Sequence, residues 1–258
     1  MTGPAPKNGF VVKLSSSSKK ATVVSTIKIN QGGSSTTFTV KTSIVATPTP
    51  ITITATVGAA SESAVLTVNP PSLLSLSLTP ATVIGLTASK GTATLSGAAP
   101  AGGMIVKLSS SDSAASVPAS VTIPAGATHA SFTIKTVSVA SATPATITGT
   151  LNGISESAGL TINPPSVTGL SLSPSSLVGG KTSTGTVTLG TAAPAGGISV
   201  SLSSSSTSAT LPASVIVLAG KTSAKFTVTT TAVTAQVVAK ISAALASTSK
   251  SANLTIKK

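Results

Sequence analysis

Two nearly identical stretches organise this 258-residue sequence: VNPPSLLSLSLTP (Val68–Pro80) and INPPSVTGLSLSP (Ile162–Pro174). Their Asn-Pro-Pro steps lie 94 residues apart (163 − 69 = 94). Proline fixes φ and biases the residue before it towards an extended backbone. The sequence therefore predicts two short, stiff inter-domain joints, formed by Asn69, Pro70, Pro71, Asn163, Pro164 and Pro165.

The same 94-residue shift holds across the rest of the chain without insertions. It carries GAAPAGG at 97–103 onto TAAPAGG at 191–197. A fixed period of this length is too long for a solenoid unit and matches a whole small domain. We therefore expect three repeats, at residues 1–70, 71–164 and 165–258.

The first repeat is incomplete in this alignment. Met1 aligns with Leu95 and Leu189, so the first repeat lacks the counterpart of 71–94, the 24 residues that open the second repeat. Three explanations are open: the chain is a segment of a longer protein whose earlier repeats precede it, a strand from another subunit completes the first repeat, or the missing strands belong to the same chain but lie outside this sequence. The second explanation requires a spare strand, and the third repeat ends with its own last predicted strand.

Apolar residues recur at every second position, as in Leu74-Ser-Leu76-Ser-Leu78, which is typical of half-buried β-strands. Seven short strands are predicted in the second repeat, near 73–78, 91–96, 104–109, 120–124, 130–136, 145–151 and 157–163. Clusters of Gly, Pro and Ser separate them. Short, regularly spaced strands with turn signals predict an all-β chain of tandem immunoglobulin-like antiparallel β-sandwiches, arranged as an end-to-end array.

The core must come from aliphatic residues and one phenylalanine per repeat, because the chain has no Cys and no Trp. The predicted core phenylalanines are Phe38, Phe132 and Phe226, which the 94-residue shift superposes. Each begins an alternating Phe-Thr-apolar run, so each is expected to point into its sandwich.

The repeat as a whole resembles a known class of protein. LSLSPSSLVGGKTSTGTVTLGTAAPAGGISVSLSSSS (170–206) and LPASVIVLAGKTSAKFTVTT (211–230) are similar to the tandem Ig-like repeats of large bacterial secreted and cell-surface proteins. Such repeats occur in adhesins, surface-layer-associated proteins, extracellular filaments and spacers beside enzymes. The resemblance implies a secreted or surface location and supplies no catalytic residues.

The composition argues against catalysis. The chain has sixteen lysines, no arginine, three acidic residues, one histidine and no cysteine. Hydrolysis requires a positioned nucleophile and base, paired carboxylates or a metal ion. We therefore expect no enzyme activity, no cofactor and no metal site, and we interpret His129 as an exposed residue at the start of a strand.

One covalent alternative is a side-chain isopeptide cross-link in the second repeat, which would join a lysine to an asparagine beside an acid. Its candidate residues are Lys107 or Lys135, Asn152 and Glu156. The repeats argue against it, since Gly58 and Ala246 occupy the equivalents of Asn152 and Lys250 that of Glu156.

The formal net charge of +13 favours anionic partners such as acidic polysaccharide. Specific nucleic-acid binding is not expected, because Arg for base readout and Tyr or Trp for stacking are absent. No apolar run approaches the ~20 residues of a membrane span.

Three functions follow as alternatives. The first is a non-catalytic stalk or filament segment that contacts neighbouring repeats of the same protein. The second is an adhesin that binds glycan or an anionic cell wall, although the aromatic platforms usual at sugar-binding faces are missing. The third is a filament subunit that polymerises when a strand from another subunit completes the incomplete first repeat.

Overall fold

The computed structural model describes residues 3–258, and every regular element in that range is a β-strand. The first repeat contains β1 (Phe10–Ser16), β2 (Ala21–Thr22), β3 (Thr26–Ile29), β4 (Lys41–Thr42), β5 (Thr49–Val57) and β6 (Ala60–Val68). The second contains β7 (Leu73–Thr79), β8 (Thr82–Ile84), β9 (Ser89–Leu95), β10 (Met104–Ser110), β11 (Ala115–Ser116), β12 (Ser120–Ile123), β13 (His129–Thr136), β14 (Thr143–Leu151) and β15 (Ile154–Asn163). The third contains β16 (Val167–Ser173), β17 (Ser176–Val178), β18 (Thr182–Leu189), β19 (Ile198–Ser204), β20 (Ala209–Thr210), β21 (Ser214–Val217), β22 (Ser223–Thr230), β23 (Val237–Leu245) and β24 (Thr248–Lys257).

The second repeat is a two-sheet sandwich with immunoglobulin strand order. One sheet has the order β11-β13-β9-β7 and the other β12-β10-β14-β15-β8. These correspond to the D-E-B-A sheet and to an extended C-F-G sheet of the immunoglobulin fold. All pairings are antiparallel except that of β8 with β15, which runs parallel. The expected all-β, Ig-like sandwich is therefore confirmed.

The seven predicted strands are all present, and the structure adds two. The additional strands β8 and β11 have three and two residues. Such short strands do not complete a period-two pattern, so hydrophobic alternation cannot reveal them. The third repeat has the same nine strands in the same two-sheet order.

The opening strand of the second repeat departs from the expected alternation. Leu74 is 59% exposed, whereas Leu73 and Leu76 are buried. The pairing register of β7 with β9 shifts between Leu73 and Ser75, which marks a β-bulge or irregularity. Leu74 and Leu76 are two positions apart, so strict alternation would place them on the same face of the strand. The bulge inserts one extra residue between Leu73 and Leu76, so Leu74 faces solvent whereas Leu76 faces the core.

The first repeat has four of the five strands of one sheet and a fragment of the other. Its four-stranded sheet has the order β3-β1-β5-β6, and β2 pairs with β4 in a separate two-stranded sheet. No residues within the described chain form counterparts of β7, β8 and β9 in this repeat. Apart from Val45, its buried hydrophobic residues fall into two separate clusters of four and three residues, whereas the second repeat has one cluster of nineteen.

The two Asn-Pro-Pro joints lie between the last strand of one repeat and the first strand of the next, and they differ in burial. Pro165 is buried, whereas Pro71 is only half-buried. At the second joint the hydroxyl of Ser138 donates a hydrogen bond to the carbonyl oxygen of Ala192, 2.8 Å away, and so links the second and third repeats. Ile44 occupies the position of Ser138 in the first repeat and has no hydroxyl to donate.

Candidate functional site in the first repeat

The complete repeats pack a phenylalanine ring directly onto a glycine of the neighbouring strand. Phe132 on β13 is paired with Gly91 on β9, and a Cβ added to Gly91 would overlap the Phe132 ring. The third repeat repeats this arrangement with Phe226 on β22 and Gly185 on β18. Both rings are 7% exposed. The glycine on each neighbouring strand therefore leaves the space that the phenylalanine ring occupies.

Phe38 is not covered in this way, and the prediction that it belongs to a repeat core like the other two phenylalanines is corrected. Its side chain is 39% exposed. Residues 35–40 form no strand pairing, although their counterparts in the second repeat belong to β13. The physical reason is that residues 3–70, the described part of the first repeat, contain no counterpart of β9, the strand that pairs with β13 and supplies Gly91.

A threonine hydroxyl shows the same difference. In the second repeat, Thr136 is buried and donates a 2.7 Å hydrogen bond to the carbonyl oxygen of Thr87, just before β9. Thr230 makes the same 2.7 Å bond to Lys181. The equivalent Thr42 in the first repeat is exposed. The segment 35–42 therefore presents both an uncovered ring and an uncovered hydroxyl.

The uncovered face forms a groove of about 570 Å³ between this segment and the remaining sheet. We call it the open groove. It lies between β5 and β6 on one side and the residue 38–42 segment on the other, and its lining includes Phe38, Val40, Ile53, Ala55, Glu62 and Leu66. Most of these side chains are apolar, and Glu62 is the single carboxylate among them. An apolar sheet face beside unpaired backbone groups can accept an added strand.

The isopeptide candidates do not come together. Lys107 is exposed and pairs with Thr150 on the outer face of its sheet. Glu156 is half-buried and pairs with Gly149, which lies on the inner face. Because residues directly opposite each other share a face, Lys107 and Glu156 are on opposite faces of the sheet.

The other two candidates are also separated. Lys135 is exposed on β13, in the opposite sheet of the sandwich. Asn152 is exposed in the turn between β14 and β15 and has a positive φ of 51°. The cross-link stays a hypothesis for which a loss of ~17 Da per bond in the intact mass is the test.

Titratable residues form no cluster that suggests chemistry. Within residues 3–258, no group of three His, Cys, Asp or Glu side chains could hold a metal ion. His129 is exposed at the start of β13, with Nδ1 3.4 Å from the Thr128 hydroxyl. No helix in this range is long and apolar enough to cross a membrane.

The glycine that faces the phenylalanine was missed by sequence reasoning, although a signal for it exists. The segments SKGTATL (89–95) and STGTVTL (183–189) share the pattern Ser-x-Gly-x-(Ala or Val)-x-Leu. All four patterned positions are buried in both repeats. A glycine is unfavourable inside a strand, so its recurrence there indicates a close approach by another group.

Comparison with known proteins gives matches of structure only. No protein-family model matches the chain, and no curated protein sequence matches it. Invasin, a bacterial integrin-binding protein, has 16% identity and a TM-score of 0.43, and the match covers 98% of this chain and 58% of that one. The I-band fragment I67–I69 of titin has 11% identity and a TM-score of 0.35, over 99% and 96% of the two chains.

Domains 1–6 of the surface-layer protein SbsC have 14% identity and a TM-score of 0.29, over 97% of this chain and 35% of that one. The matched structures thus include an integrin-binding bacterial protein, a surface-layer protein and domains of titin. Identities and TM-scores this low carry no inference about function, so the fold rests on the strand order given above.

Proposed function

We propose that the chain is a non-catalytic structural segment of an extracellular or cell-surface protein, which forms part of an extended stalk or filament. The observation that carries this proposal is the joint between the second and third repeats. Only residues 164–166 separate β15 from β16, and the hydrogen bond from Ser138 to Ala192 connects the two sandwiches beside this link.

Such a joint favours an end-to-end arrangement of repeats with limited bending. Two prolines restrict the backbone of the link, and the buried Pro165 is held in place by its surroundings. A stalk has to span distance, so short restrained links between similar sandwiches suit it better than flexible ones.

Small-angle X-ray scattering of the whole chain tests this proposal. An elongated particle, with a pair-distance distribution that extends well beyond the diameter of one sandwich, is expected. A distribution typical of a single globule of 258 residues would refute the stalk.

A second candidate function is supported by the open groove: the chain accepts a β-strand from another subunit, and polymer growth follows from this complementation. Its support is the 39% exposure of Phe38 against 7% for Phe132 and Phe226. Electron microscopy of the native assembly tests it. Regular end-to-end contacts through the first repeat are expected, and contacts made only through other surfaces would exclude it.

Acidic polysaccharide is the partner that the charge favours. The third repeat carries seven lysines and no acid, and the lysine side chains are exposed: Lys181, Lys221, Lys225, Lys240, Lys250, Lys257 and Lys258. Binding to an immobilised acidic polysaccharide should therefore weaken as salt screens the charges. Retention that does not respond to ionic strength would contradict this electrostatic interaction.

A further inference from the structure

We infer that β21 in the third repeat is a pairing surface for a second copy of this chain. The two β21 strands lie antiparallel about a two-fold axis at Ile216, and they join two sheets edge to edge. The contact is on the side of the repeat, so it links two neighbouring chains laterally. Lateral pairing goes beyond the proposed function, in which one chain spans distance by itself.

β21 is the outermost strand of its sheet, which has the order β17-β24-β23-β19-β21. Within residues 3–258, β19 is the single strand that pairs with it. The amide of Leu202 on β19 donates a 2.8 Å hydrogen bond to the carbonyl oxygen of Ala213. Because hydrogen-bonded pairs alternate along an antiparallel ladder, the backbone N–H and C=O groups of Ser214 and Ile216 point away from β19. These groups are available to another strand.

The equivalent edge strands of the other two repeats carry a polar side chain at the centre. The position of Ile216 is occupied by Lys28 in β3 and by Thr122 in β12. A charged side chain on an edge strand opposes pairing with another copy. Ile216 is instead apolar, and it is 59% exposed. The third repeat therefore lacks the charge that protects this edge in the first repeat.

The end of the strand differs in the same direction. Leu218 is 66% exposed, and its position in the second repeat is occupied by Pro124. Proline has no N–H to donate, so it interrupts pairing along an edge. Leu218 retains its N–H group and places a second exposed apolar side chain on the same face as Ile216.

The strand is complementary to itself in one antiparallel register. Pairing centred on Ile216 brings the two Ile216 side chains opposite each other and sets Val215 opposite the partner's Val217. The two isoleucines then form an apolar cross-strand pair, whereas two lysines at this position would repel each other. The next lysine along the chain is Lys221, five residues after Ile216. The two copies of Lys221 therefore lie at opposite ends of the paired segment.

A neighbouring repeat in the same chain does not reach this edge. The second repeat has a repeat on either side, and its equivalent edge strand β12 still pairs with β10 alone within the described residues. The partner of β21 therefore approaches from the side, whatever repeats adjoin the chain.

The association is expected to be weak. Five residues from each copy form a smaller contact than the ~1,200–2,000 Å² of stable specific interfaces. The third repeat also carries seven lysines and no acid. We therefore expect a Kd between about 10 μM and 1 mM, which decreases as salt screens the repulsion between the two copies. Binding to acidic polysaccharide responds to salt in the opposite direction.

Analytical ultracentrifugation of the intact 258-residue chain, from about 10 μM to 1 mM, tests the inference. A reversible equilibrium between monomer and dimer is expected, and it stops at the dimer because a two-fold contact is closed. Ile216→Lys and Leu218→Pro introduce the residues that the first and second repeats carry at these positions, so both variants are expected to fold. Each should weaken dimerisation by about ten-fold or more.

Ile105→Lys is the matched control. Ile105 is 60% exposed, as Ile216 is 59% exposed, but it lies on β10, which is flanked by β12 and β14. The control makes the same change in charge and in exposed apolar surface away from an edge, so the Kd should stay within about two-fold of the parent value. An equal loss in Ile105→Lys would overturn the inference, since exposed isoleucine or net charge in general would then drive the association.

A spin label at Ser249→Cys reports which strands meet. Ser249 is exposed and lies in one row with Ala244, Ser201 and Ser214 across β24, β23, β19 and β21. In the dimer, seven strand spacings separate the two labels, which gives a distance of roughly 35 Å. Pulsed electron paramagnetic resonance should detect this distance in the parent dimer, and a clearly different distance would contradict pairing through β21.

Four further results would overturn the inference: a monomer at every concentration, association that continues beyond the dimer, a dimer that survives Ile216→Lys, or a dimer that weakens as salt is added. Scattering from the monomer at low concentration tests the elongated shape independently, so failure of the stalk is separately visible.

Discussion

The first and second repeats contain the same alternating stretch, but only the second buries it. Phe132 is 7% exposed and Phe38 is 39% exposed, although the two residues are equivalent in the 94-residue alignment. The difference lies in the residues opposite them: Gly91 and its strand cover Phe132, and nothing in the described chain covers Phe38. In a β-sandwich, burial is a property of paired strands and cannot be assigned to one strand alone.

The same comparison shows why the first repeat has a weaker core. Residues 3–70 contain no counterparts of β7 and β9, and most of the buried aliphatic residues of the first repeat pack into two small clusters. In the second repeat Leu73, Leu76, Ala93 and Leu95 from these strands join a single cluster of nineteen residues. We expect the first repeat to be the least stable of the three.

The largest predicted difference concerns the phenylalanines. Phe132→Ala should lower the free energy of unfolding of the second repeat by about 3–5 kcal/mol, because it removes a buried ring from a packed core. Phe38→Ala should cost the first repeat less than about 1 kcal/mol, because its ring is already partly in water. Hydrogen exchange measured by mass spectrometry reports the stability of each repeat separately.

Phe226→Ala is the control, since its ring is as buried as that of Phe132. It should destabilise the third repeat by a similar amount. Equal losses for Phe38→Ala and Phe132→Ala would mean that Phe38 is covered in solution.

The glycine opposite Phe132 gives the next largest effect. Gly91→Ala should destabilise the second repeat by about 1–3 kcal/mol, since the added Cβ overlaps the ring. Gly159→Ala is a matched control on β15, where no atom lies within 4 Å of an added Cβ. It should change stability by less than about 0.5 kcal/mol. If denaturation gives equal losses for the two variants, the close packing of ring and glycine is refuted.

A third difference in stability is expected between the equivalent threonines Thr136 and Thr42. Thr136→Val should cost about 1 kcal/mol, because the buried hydroxyl that donates to Thr87 is lost and the carbonyl is left without this donor. Thr42→Val should be nearly neutral, since Thr42 is exposed. The measurement is again repeat-resolved hydrogen exchange. A comparable loss in Thr42→Val would show that its hydroxyl already has a partner.

Much of this fold can be predicted from sequence, because period-two alternation is a local signal that directly reports a half-buried strand. It fails where the outcome depends on another strand. The bulge after Leu73 cannot be derived from the LSLSL run, and Phe38 cannot be distinguished from Phe132 by its own neighbours. The alignment does show that residues equivalent to 71–94 are missing, but the exposure of Phe38 follows only once Gly91 is known to face Phe132.

The joints provide the smallest predicted effect. Ser138→Ala removes the hydrogen bond to Ala192, worth about 1 kcal/mol, so the second joint should sample a wider range of angles. The chain contains no cysteine, so spin labels can be placed at Ser157→Cys and Ser251→Cys, both exposed. Pulsed electron paramagnetic resonance should then give a broader distance distribution for Ser138→Ala than for the labelled parent.

The first joint supplies the control for this measurement. Ile44 occupies the position of Ser138 and makes no side-chain hydrogen bond across the joint, so Ile44→Ala should leave the distribution between labels at Ser63→Cys and Ser157→Cys unchanged. The parent distribution at this joint should already be broader than at the second, because Pro71 is less buried than Pro165. Equal widths at the two joints would mean that the proline pairs alone set the stiffness and that the Ser138 contact contributes nothing to it.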